Sequence, residues 1–193
     1  MLSFHNDQAV KDKYITRVHA HQEADRLIRG IGWKNGKGCA VGCTLENYDH
    51  SLYPVELGIP EWLAIVEDTL FEGMSLKKSK TWAEVFLKAV PLGVTEARFE
   101  REVKAPFLVI VLKSALENFD NAKFPDVTAA INRNISLWQR VDIGSEEFLK
   151  EAAWAAEAAA EAAGWAAAEA AKMGYFADEL IKLLEGLGEP AND

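Results

Sequence analysis

The chain has 193 residues, about the upper end of one ordinary domain, and 49% of them are hydrophobic, which is ample for one core and unlike a disordered segment. Its 21 basic and 30 acidic side chains leave a formal charge of −9, which argues against a sequence-independent phosphate binder because that role needs a surplus of lysine and arginine. Two cysteines make no disulfide framework and no apolar run nears the roughly 18 residues of a membrane span.

The opening residues also lack the apolar core of a signal peptide, so the sequence predicts a cytoplasmic protein with no membrane and no direct nucleic-acid contact. Periodicity predicts helix after helix, an all-α fold. The first helix is expected from Asn6, as cap, to Gly30, with Val10, Tyr14, Val18, His21, Ala24 and Ile28 along its buried stripe. Between Gly30 and Cys43 lies a glycine-rich loop, and Asn35-Gly36 is read as part of that loop rather than as a hairpin turn. Pro60 opens the next helix, whose apolar side is Trp62, Leu63, Val66, Leu70 and Phe71, ending at Gly73. A further helix over about Lys80 to Val90 buries Trp82, Val85, Phe86 and Ala89.

Thr95 caps a short charged helix through Lys104, and Pro106 allows a new start. Phe107 to Phe119 is then apolar nearly all round and is expected to be the central, buried helix. Pro125 opens another that keeps the 3.6-residue period through Val127, Ala130, Ile131, Ile135, Trp138 and Val141 up to Gly144. Residues 1–144 thus form a helical body. From Ser145 the composition changes: 14 of the 20 residues from Ala152 to Ala171 are alanine, and WAAEAAAEAAG from Trp154 and WAAAEAAKMGY from Trp165 form two units of 11 residues, about three helical turns each. Residues 145–193 are read as an alanine-rich acidic helical arm, packed on the body or on a second chain. Gly174 is expected to break or bend it before a last amphipathic segment with Phe176, Leu180, Ile181, Leu183 and Leu184, ending at Gly186.

The stretches NGKGCAVGCTLENYDH (Asn35 to His50), ELGIPEWLA and EDTLFEG (Glu56 to Gly73) and the alanine-rich tail are similar to those of a family of uncharacterised bacterial proteins, some of phage or prophage origin. The resemblance covers about the first 90 residues and the style of the tail. It implies a grouping and no activity, cofactor or catalytic residue.

Three features carry chemistry. Gly36, Lys37, Gly38, Cys39 and Cys43 form a candidate ligand loop, because glycines let backbone amides converge on an anion beside a lysine. The phosphate-loop pattern is incomplete, however, with no Ser or Thr after Lys37. Cys39 and Cys43 stand four apart, and a zinc set would need His19, His21 or His50 to complete it; the spacing is not that of a zinc knuckle, so the cysteines are read as structural, with no metal and no cofactor. An enzymatic alternative is a Cys39–His50 nucleophilic pair oriented by Asp49.

The third feature is the tail. On a helical wheel Trp154, Glu157, Glu161 and Trp165 share one face and alanine fills the opposite one. Indoles among carboxylates suit a contact surface for a basic partner, and an alanine face suits close helix pairing, including a homodimer. Residues 145–193 hold 11 acidic and 3 basic side chains, whereas residues 1–144 hold 19 and 18. The sequence is therefore read as a protein-interaction module. The alternatives are a phage-type inhibitor, anti-CRISPR-like, of a nucleic-acid-handling protein, and a small enzyme or a ligand or metal binder at the Gly36 to Cys43 loop.

Overall fold

A computed structural model describes residues 1–117, 120–140 and 170–188, together with Asp142, Ile143, Ser145 and Phe148. The fold is all-α, with one minimal hairpin. The chain divides into two compact units, Met1–Glu96 with Ala170–Asp193, and Ala97–Glu169. The body–arm boundary expected at 144/145 falls where most residues lie outside the described set.

The first unit begins with a single turn, Ser3–Asn6, in which Phe4, His5 and Asn6 all take positive φ (50°, 54° and 57°). Left-handed backbone costs roughly 1–2 kcal/mol per residue outside glycine. Tertiary contacts offset it: Phe4 is fully buried, Ser3 Oγ donates to Pro91 O (2.6 Å) and accepts from Val94 N (2.8 Å), and Ser3 N bonds Val94 O (2.9 Å). Replacing Ser3 with alanine leaves a half-buried carbonyl and a buried N–H without that partner, and is expected to cost about 1–3 kcal/mol in urea unfolding. A loss under 0.5 kcal/mol would show that the backbone pairing alone holds the turn.

Helix α1 (Gln8–Glu23) is capped by Asp7, whose Oδ1 accepts from Ala9 N at 2.8 Å, rather than by Asn6, whose positive φ places it in the preceding turn. It buries Tyr14, Val18 and His21 as expected but stops at Glu23, well short of Gly30. Asp25 takes φ 52° there, and Ile28 N turns away to bond Gly38 O at 2.8 Å.

That bond leads into the hairpin. Strands β1 (Trp33–Lys34) and β2 (Lys37–Gly38) pair antiparallel with Trp33 opposite Gly38. Asn35 (φ 53°) and Gly36 (φ 74°) are its two turn residues, both left-handed as a type I′ turn requires. The Asn-Gly pair is thus a hairpin signal, a correction to its reading as loop. Two short helices follow, α2 (Ala40–Leu45) and α3 (Leu52–Leu57). Helix α4 (Glu61–Gly73) starts one residue after the expected opening, with Pro60 as its N-cap rather than its first residue, and α5 (Leu76–Ala89) starts earlier than Lys80 because Ser75 Oγ caps Lys78 N. On α5 Trp82, Ala83, Phe86 and Leu87 are buried, whereas Val85, expected inside, is exposed.

The last helix, α9 in chain order (Ala170–Gly186), belongs to this same unit and packs on α4 and α5. Phe176, Ala177, Leu180 and Leu184 are buried on it, and Leu187 just beyond its end. It runs through Gly174 without the expected break; the Gly174 carbonyl accepts from Lys78 Nζ (2.9 Å), which also pairs with Asp178 (2.6 Å).

Helix α6 (Glu96–Arg98) begins at the last residue of the first unit's leading segment and, in the second unit, passes through a π-type turn (Phe99–Lys104) into α7 (Ala105–Glu117). Pro106 has no N–H for the carbonyl four residues back, and the register widens just before it, with Ala105 N reaching Glu100 O. Pro106 therefore does not start a separate helix. Helix α7 packs on α8 (Pro125–Trp138) through Val109, Ile131 and Ile135, flanked by Leu112, Leu116, Val127 and Trp138. Only Ala105, Phe107 and Val109 of α7 are buried, so it is a half-buried partner of α8 and not a central helix. The β-branched run Val109 to Val111 is helical.

Candidate functional site

Among the described residues, a cluster of buried polar side chains lies on the inner face of α4, opposite α2. Helix α4 buries Leu63, Ala64, Leu70 and Phe71, and with them two adjacent carboxylates, Glu67 and Asp68. The four-residue spacing Leu63, Glu67, Phe71 puts Glu67 in the middle of the apolar stripe, and Ala64, Asp68, Glu72 runs alongside it.

Glu67 is fully buried. Tyr53 Oη donates to its Oε2 at 2.5 Å, while its Oε1 has no hydrogen-bond partner among the described residues. Burial pushes its carboxyl up to about 8, and the adjacent Asp68 adds to the rise, against the opposing Tyr53 hydrogen bond. Asp68 Oδ2 accepts from Tyr48 Oη (3.0 Å) and pairs with His50 Nε2 (3.3 Å), whereas its Oδ1 is buried without a hydrogen-bond partner among the described residues. Glu72, half-buried, accepts from Gly30 N at 2.7 Å, and burial raises its carboxyl too.

Cys39 faces this set from α2. It is the N-cap residue of that helix, and its Sγ accepts from Gly42 N at 3.4 Å. Burial, followed by the Asp68 carboxylate, pushes its thiol far above the ordinary range. Cys43 Sγ donates to Gly38 O at 3.4 Å, and burial raises it to about 12. Both thiols are therefore protonated near neutrality, the opposite of an activated nucleophile.

The ligand-loop residues come together, but the backbone amides of Gly38, Cys39 and Cys43 bond within the fold. Gly38 N bonds Arg26 O (3.1 Å), Cys39 N bonds Ile31 O (2.7 Å), and Cys43 N bonds Cys39 O (2.9 Å). These donors do not converge on an anion; Lys37 is exposed on the hairpin. The nucleophile alternative is rearranged as well. Asp49 Oδ1 accepts from Ser51 N (3.0 Å) and Ser51 Oγ (2.6 Å), and the carboxylate facing His50 is Asp68 instead, a correction to the expected Asp49 pairing. His19 pairs with Glu84 (3.0 Å) and His21 with Glu46 (3.4 Å), so each of the three histidines considered for zinc meets a different carboxylate. Trp154, Glu157, Glu161 and Trp165 lie outside the described residues.

Sequence reading missed Glu67, Asp68 and Glu72. For Glu67 the signal is present in the wheel: a carboxylate four residues from both Leu63 and Phe71 lies on the buried face whatever its charge.

The chain matches no protein-family model, no curated protein and no solved structure among those compared. No helix among the described residues is long and apolar enough to cross a membrane.

Proposed function

We propose that the protein is an interaction module whose C-terminal segment presents Trp154, Glu157, Glu161 and Trp165 to a protein partner with a basic surface. Charge segregation carries the reading: residues 145–193 hold 11 acidic and 3 basic side chains, against 19 and 18 in the rest. Carboxylates facing a basic partner steer and register its approach. The anchoring of α9 supports it. Phe176, Ala177, Leu180, Leu184 and Leu187 already fasten the chain's end to its unit, so that task does not call on the indoles.

The double variant Trp154→Ala, Trp165→Ala separates a binding face from internal knobs. Alanine raises helix propensity, so a binding face predicts a melting temperature within a few degrees of the parent and loss of the captured partner. Internal knobs predict a cost of several kcal/mol with capture retained. The complex should also weaken as salt rises, because exposed charges are screened over about 10 Å at 0.1 M. A sharp fall in melting temperature with undiminished capture would end the proposal.

A further inference from the structure

Cys39 Sγ, a carboxylate oxygen of Asp68 and one of Glu72 all lie within 4.8 Å of one another. We propose that these three side chains bind one divalent cation of zinc type, with His50 at the edge of the site. The donors come from two helices that pack on each other: Cys39 from the cap of α2, Asp68 and Glu72 from successive turns of α4. Four-residue spacing sets the two carboxylates one above the other on a single face.

The orphaned oxygen is the observation that points to a ligand. Asp68 is only 7% exposed, and its Oδ1 has no hydrogen-bond partner among the described residues although Oδ2 has two. Buried polar atoms are nearly always satisfied, and one left over beside a thiol and a second carboxylate marks a place that an ordered water or an ion would fill; the thiol, held toward Asp68, supplies the donor that favours the ion.

Each donor side chain is, moreover, held by a hydrogen bond of its own. Gly42 N–H points at Cys39 Sγ (3.4 Å), Tyr48 O–H at Asp68 Oδ2 (3.0 Å) and Gly30 N–H at Glu72 Oε2 (2.7 Å). Outer contacts of this kind orient ligands in metal sites and fix which lone pair faces the ion. His50 Nε2, 3.3 Å from Asp68 Oδ2, is the nearest imidazole and either joins the ion or steadies Asp68.

The donor chemistry selects the metal. A thiolate with carboxylates and an imidazole nearby suits zinc; magnesium and calcium take oxygen alone. Ligand atoms around tetrahedral zinc lie roughly 3.3–3.8 Å apart, so the cluster needs to close by about 1 Å. Half-buried Glu72 and His50 mark the side from which the ion enters. On binding, the Cys39 proton passes to solvent and the sulfur lone pair to the metal, with no change of oxidation state.

The test uses the full chain, stripped with a chelator and titrated with Co²⁺ alone, then with Zn²⁺ as competitor. Expected are one equivalent bound, a thiolate-to-cobalt charge-transfer band, displacement by zinc, and a higher melting temperature with zinc present. Cys39→Ser should abolish the band, and Asp68→Asn and Glu72→Gln should each weaken binding at least tenfold. Because Cys39 caps α2, its loss could unfold the site; Glu72→Gln, which keeps an acceptor for Gly30 N–H, is therefore the deciding variant once its helical circular dichroism matches the parent. Absence of saturable binding, a cobalt spectrum without the thiolate band, or unchanged affinity in folded Glu72→Gln would overturn the assignment. Retained affinity in Glu157→Gln with Glu161→Gln is expected; its loss would place the ion on the acidic tail and overturn it as well.

Discussion

Replacing Gly42 with alanine is expected to cost at least about 3 kcal/mol, although alanine is the better helix former by roughly 1 kcal/mol. The reason is the distance between two backbones. A Cβ at Gly42 would stand 1.8 Å from Gly32 O, and the hairpin carrying Gly32 cannot retreat without breaking Cys39 N to Gly32 O (3.1 Å) and Gly38 N to Arg26 O (3.1 Å). Overpacking against a carbonyl differs from overpacking against the flexible end of a side chain, because no rotamer relieves it. Gly186→Ala is the matched control: a Cβ there meets nothing within 4 Å, so the same substitution should be neutral or stabilising by up to about 1 kcal/mol. Urea unfolding of both variants checks the pair. Equal stability for Gly42→Ala and the parent would mean that hairpin and helix stand farther apart than described.

The same contact shows why part of this fold was legible in the sequence and part was not. Helices α1, α4, α5 and α8 run for 13 to 16 residues, long enough for the 3.6-residue period to show, and each was anticipated with errors mainly at its ends. Helices α2 and α3 have six residues each and strands β1 and β2 two each, too short for any period; only the Asn35-Gly36 pair announced the hairpin. Helix α7 was judged central because its sequence is apolar, yet apolarity does not say how much of a helix is covered, and most of it stays half-buried against α8. At the site, the cysteines drew attention through their rarity. The carboxylates did not, because Glu67-Asp68 looks like an ordinary solvated pair until α2 is placed over α4. Which side of α4 is inside was legible from Leu63 and Phe71; that a charge-bearing group would be kept there was a matter of tertiary contact with Tyr53 and Cys39.

That buried carboxylate sets the second expectation, a stability that falls as the solution becomes alkaline. Glu67 titrates near 4.5 when unfolded and is held up to about 8 in the fold. Below the lower value both states carry the proton and burial of the neutral acid has no ionic penalty. Between about 4.5 and 8 the unfolded chain has released it while the folded chain still binds it, so unfolding is favoured progressively as pH rises; above 8 both are ionised and the loss levels off. The full change is on the order of 3–5 kcal/mol. Tyr53 is raised well above its ordinary value, Tyr48 to about 12, and Cys39 higher still, so none of them titrates between 4.5 and 8. Glu72 shifts in the same direction and, being half-exposed, adds a smaller slope of the same sign. Replacing Glu67 with glutamine removes the titration while keeping an acceptor for Tyr53 Oη. Urea unfolding at pH 5, 6, 7 and 8 should give a falling series for the parent and a nearly flat one for Glu67→Gln, the two lines converging or crossing at the alkaline end. Parallel profiles would show that Glu67 ionises as freely in the fold as outside it, and would return the buried charge to a partner that the described contacts do not contain.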